Sequence, residues 1–75
     1  MVVELTGWRA GVLTISLVRL IMEETHYGLR DAKRCVDDLF EGSAVRFVFD
    51  TEDKAAAFLE AASGLGVEGR LRSPG

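Results

Sequence analysis

Seventy-five residues make one small domain, 1–75, which can bury only about 60% of its unfolded surface, so every apolar stripe has to find a partner. A hydrophobic fraction of 48% beside 28% charged residues excludes a disordered chain. Nine basic residues against twelve acidic ones, net −3, supply no general phosphate-binding surface; direct nucleic-acid binding is not expected, and only a local basic patch is left open.

Met1 to Trp8 alternates, with Val3, Leu5 and Gly7 on one side and Val2, Glu4 and Thr6 on the other, which predicts a short strand with one buried face. Gly7 and Gly11 bracket a turn in which Trp8 is expected to cap the core edge. A helix follows over Val12 to Glu24, apolar on two faces: Leu13, Leu17, Leu20 and Ile21 form one stripe, Ile15, Val18 and Met22 a second. The first stripe is assigned to the core. The second is either covered by the neighbouring helix or left as a contact surface, and Arg19 among its residues suits the rim of an interface.

Thr25 to Gly28 is short enough to make the next helix an antiparallel neighbour. That helix, Leu29 to Glu41, carries Leu29, Ala32, Val36, Leu39 and Phe40 on one stripe between Gly28 and Gly42, with Asp31 in its first turn. Ala44 to Asp50 alternates as a second strand, with Val45, Phe47 and Phe49 on one side. Thr51 caps a third helix whose stripe is Ala55, Phe58, Leu59 and Ala62, ended by Gly64 and Gly66. Val67 to Arg72 alternates as a third strand, and Ser73 to Gly75 makes a frayed tail.

The order β-α-α-β-α-β predicts a two-layer α/β (α+β) domain, with three helices on one face of a three-stranded sheet. The first strand lies between the other two and antiparallel to both. The expected core includes Leu17, Ile21, Leu29, Val36, Phe47, Phe58 and Leu59.

Chemistry-bearing residues are few. His26 beside Tyr27 has no second histidine, Cys35 lies on another element, and the adjacent Asp37 and Asp38 point about 100° apart on a helix. Gly64-x-Gly66 ends a helix instead of opening one around a phosphate. No enzymatic activity and no cofactor or metal site are expected. A single cysteine forms no intramolecular disulfide and fits a reducing compartment, hence the cytoplasm. The apolar run Val12 to Met22 is too short to span a membrane, is interrupted by Arg19 and follows Glu4 rather than a basic segment, so no membrane association is expected.

Thr25 and then Gly28, Leu29, Arg30, Asp31, Ala32, Lys33 and Val36 resemble the Thr-x-x-Gly-Leu-basic-acidic-Ala-Lys run in the C-terminal domain of the bacterial ribosomal stalk protein. The resemblance extends to Val18, Arg19 and Ile21 on that domain's first helix and to Thr51 to Leu59 on its capped third helix. It implies the two-layer fold shared with the Clp protease adaptor ClpS. It also implies an aliphatic and basic patch that meets translational GTPases, falling here on Ile15, Val18, Arg19 and Lys33, with Met22 completing the stripe. The family has basic residues where Thr14 and Met22 stand, and Gly-Leu where His26 and Tyr27 stand. No counterpart of its N-terminal dimerisation domain or hinge is read here, so anchoring to a ribosome in the usual way is not expected.

The alternative function is an adaptor or regulator of a Clp-type protease, suggested by Ala32 and the Gly42-x-Ala44 entry to the second strand. ClpS grips N-terminal residues with an Asn-Asp-Asp run, and here that region reads Thr6, Gly7, Trp8, Arg9, so that pocket is not expected. The expected partner is thus a protein: a translational GTPase, another ribosome-associated factor, or a protease or unfoldase. The chain itself is expected to be a monomer or a weak homodimer through the same stripe.

Overall fold

The computed structural model describes residues 1–73. The elements are β1 (Val2–Trp8), α1 (Thr14–Glu24), α2 (Leu29–Phe40), β2 (Val45–Val48), α3 (Glu52–Gly64) and β3 (Val67–Arg72). The sheet order is β2-β1-β3 with both neighbours antiparallel to the central strand, as the alternating segments and their connections predict. α2 and α3 lie against the sheet, and α1 packs on both of them.

The core side of the sheet is set by the period of two. Val3 and Leu5 of β1, Phe47 of β2 and Val67 of β3 are buried, with Leu17 and Ile21 from α1, Val36 and Leu39 from α2, and Ala55, Phe58 and Ala62 from α3 facing them. Aromatic rings tie the layers together: Phe58 sits 5.3 Å from Phe47 and 5.1 Å from Phe49, and Tyr27 meets Phe47 edge-on at 5.4 Å. Offset and edge contacts at these separations suit the ring quadrupoles.

Several boundaries and faces depart from the sequence pattern. Leu13 was expected on the core stripe of α1 and is instead 53% exposed, because the helix starts at Thr14 and Leu13 belongs to the loop, where its N–H donates to the Leu65 carbonyl. Leu29 was expected in the core and is 52% exposed: as the first residue of α2 it projects past the end of the core. Leu59 is half-buried at the core's edge, and Trp8 is only partly covered, its ring tilted against Phe40 at 5.1 Å. β2 closes at Val48, although Phe49 stays buried and donates its N–H to the Met1 carbonyl. Gly42 takes a left-handed φ of 98°, whereas Gly28 is extended and could be another residue. The expected tail runs past Ser73 outside the described residues.

The largest departure is in the exposure of Glu4, which alternation places on the solvent face. It is on that face, yet only 2% exposed. Its carboxylate is roofed by arginines from both neighbouring strands, in register with it: Arg46 on β2 and Arg70 on β3. Arg46 donates Nε and Nη2 to Oε2 at 2.9 and 2.8 Å, and Arg70 donates the same pair to Oε1 at 2.9 and 2.8 Å. Arg72 adds Nη1 to Oε2 at 3.3 Å. The Arg70 hydrogen bonds, followed by the Arg70 charge and then by the hydrogen bonds and charge of Arg46, hold the Glu4 carboxyl below its ordinary value against the opposing effect of burial.

Candidate functional site

The helix layer carries a groove of about 850 Å³ between α1 and α2. It arises because α1 is apolar on two faces while a core this small can cover only one of them. Leu17 and Ile21 fill the covered face. Residues three or four positions away from each other on the same helix, Ile15, Val18 and Met22, then fall together along the other.

All five residues expected at a contact site line this groove: Ile15, Val18, Arg19 and Met22 from α1, and Lys33 from α2. They are not equivalent. Ile15 is 79% exposed and Met22 39%, whereas Val18 is half-buried and packs against the core from the groove floor. Arg19 and Lys33 are exposed cations, and Glu23 and Asp37 are exposed carboxylates of the same lining. The groove therefore combines an aliphatic floor with charges of both signs.

Leu29 is the groove residue that periodicity misassigned. Its spacing from Ala32 and Val36 places it on the buried stripe, but a stripe gives no information about where along the helix the core stops. The available signal was position: a first helical residue following a glycine has no preceding turn to cover it.

The residues considered for chemistry lie apart. His26 and Tyr27 are exposed beside the end of β2, and Cys35 is half-buried on α2, where burial first and the Asp38 and Asp31 carboxylates second push its thiol pKa up. A thiol raised in this way is less nucleophilic at neutral pH, because less of it is thiolate. Among the described residues no helix is long and apolar enough to cross a membrane.

No known protein family, curated protein or solved structure matches the chain.

Proposed function

We propose that the chain is a small non-enzymatic protein-interaction domain that docks a protein partner in the α1/α2 groove, in the manner of the ribosomal stalk C-terminal domain that its Thr25–Val36 segment resembles. One observation carries the reading: Ile15, Met22 and Leu29 are large, exposed and contiguous on a domain whose core is otherwise complete. Contiguous apolar surface of this kind is costly in water and is relieved by a partner. The element order agrees with the fold that the resemblance implies. Arg19 and Lys33 give the groove orientation and a salt-dependent encounter rate, and the aliphatic floor supplies most of the affinity. By the same resemblance the partner is a translational GTPase or another ribosome-associated factor.

The test is a titration of the isotope-labelled chain with a purified translational GTPase, followed by NMR. Shifts concentrated on Ile15, Val18, Met22, Leu29 and Lys33 are expected. The double variant Ile15→Asp, Arg19→Glu changes two exposed side chains, so it should retain its melting temperature and lose binding by at least about tenfold. Absence of binding, or shifts elsewhere on the domain, would overturn the reading. Binding of a Clp-type unfoldase through the groove, with no GTPase binding, would replace translation by protease adaptation.

A further inference from the structure

The sheet face turned away from the helices carries a second, independent feature. Satisfying the buried Glu4 takes two arginines: Arg46 occupies one carboxylate oxygen and Arg70 the other, each through two donors. Arg72 is surplus to that requirement, reaching an oxygen already bonded twice, at the longer distance of 3.3 Å. Three guanidiniums over one carboxylate give the cluster itself a charge of +2. These four side chains take three of the nine basic residues and one of the twelve acidic ones, so the remainder of the chain, six basic against eleven acidic, carries −5. The cluster's +2, partly offset by Glu68 two residues before Arg70 on the same face of β3, thus stands on one side of an otherwise acidic molecule.

The arginines are also held in place while remaining open. Their side chains are 60%, 65% and 51% exposed for Arg46, Arg70 and Arg72 even though each touches Glu4. Fixing the guanidiniums in advance removes much of the ordering cost that a ligand would otherwise meet. Two residues back along β1 from Glu4, Val2 faces Val48 on one side and Arg72 on the other, and Val48 is 79% exposed. The face therefore presents a row Arg46, Glu4, Arg70 and, about 7 Å away along the strands, a row Val48, Val2, Arg72. Glu68, farther along β3, is an exposed carboxylate near the other end of β1.

We propose that this sheet face binds an acidic polypeptide segment, with carboxylates on the open edges of Arg46, Arg70 and Arg72 and an aliphatic side chain on the Val2–Val48 pair. Guanidinium and carboxylate match as planar, two-pronged partners. The two-residue separation of the rows fits an extended segment in which acidic and aliphatic residues alternate on one side. A nucleic acid fits less well: three arginines neutralise few phosphates, the rest of the chain repels a polyanion, and neither row holds an aromatic ring for base stacking.

The experiment is fluorescence anisotropy of the full chain with three probes: a labelled peptide of glutamates and valines spaced as above, the same peptide with glutamine for glutamate, and a labelled oligothymidine. The acidic peptide should bind, more weakly as salt rises, and the glutamine peptide should not. Arg72→Gln leaves both Glu4 oxygens bonded, so the fold persists, and it should weaken the acidic peptide by about tenfold, the size of one charge-assisted contact. Val48→Asp should abolish binding, whereas Ile15→Asp in the groove should leave it unchanged. No binding of the acidic peptide, equal binding of the glutamine peptide, or indifference to Arg72→Gln and Val48→Asp would overturn the proposal. Tighter binding of oligothymidine through the same arginines would overturn it in favour of nucleic acid.

Discussion

A carboxylate that is 2% exposed on a central strand would be strongly destabilising if it stood alone, and Glu4 is tolerated because both its oxygens accept from guanidiniums. Folding therefore favours the ionised form and lowers the pKa from its ordinary 4.5. The contribution of this group to stability is complete above that ordinary value and disappears as the pH falls through the lowered folded value. Glu4→Gln, which keeps the shape and removes the charge, should melt well below the parent at pH 7, and the gap should narrow steadily below pH 4.5. A gap independent of pH, read by thermal scans across that range, would show that packing and not charge holds Glu4 in place. Beside it, Gly69 leaves no room for a methyl group, since a Cβ there would lie 2.6 Å from the Glu4 carbonyl oxygen. Gly69→Ala has to move backbone where β1 and β3 meet next to a register shift, and about 1–3 kcal/mol of destabilisation in urea is expected from overpacking.

Among the helices, α3 carries the clearest local signals: the Thr51 side chain accepts from the Lys54 N–H, and Glu52 and Asp53 sit at the positive end of the dipole. Thr51→Ala should cost about 1 kcal/mol, and Thr51→Asp should restore most of it, both measured by denaturant midpoints. α1 has neither a side-chain cap nor an acid in its first turn, so its start is set by the loop before it and by packing. That difference explains which boundaries were legible in the sequence. The cap at Thr51 and the clean alternation of Val67 to Arg72 coincide with the start of α3 and the span of β3. The apolar pattern begins two residues before α1 does, because Val12 and Leu13 continue it while the loop that holds them is fixed by contacts with Leu65 and Gly66, about fifty residues away. Leu29 is exposed despite its stripe for the related reason that periodicity reports a face and not the end of a core. The stripe Ile15, Val18, Met22 was legible as a second apolar face; its share in a groove with Leu29 required the second helix in place.

For the whole molecule, the strand order followed from the connections, but the Glu4 cluster depends on register between residues 42 to 68 positions apart, which no local pattern encodes. With that register the sheet separates into a buried side and a charged side, and neighbouring residues of β2 provide the sharpest test of the division. Phe47 is 2% exposed between Tyr27 and Phe58, while Val48, the next residue, is 79% exposed on the opposite face. Phe47→Ala removes a ring that joins the sheet to the helix layer and should cost roughly 3–5 kcal/mol. Because a domain of 75 residues has a folding margin of similar size, much of this variant should be unfolded at 25 °C, with the groove lost along with the core. Val48→Ala removes only exposed surface and should lie within about 0.5 kcal/mol of the parent. Urea titrations followed by circular dichroism would decide the matter. A cost below about 1 kcal/mol for Phe47→Ala, where burial predicts several, or an equal cost at Val48, would mean that the strand presents the opposite face to the helices.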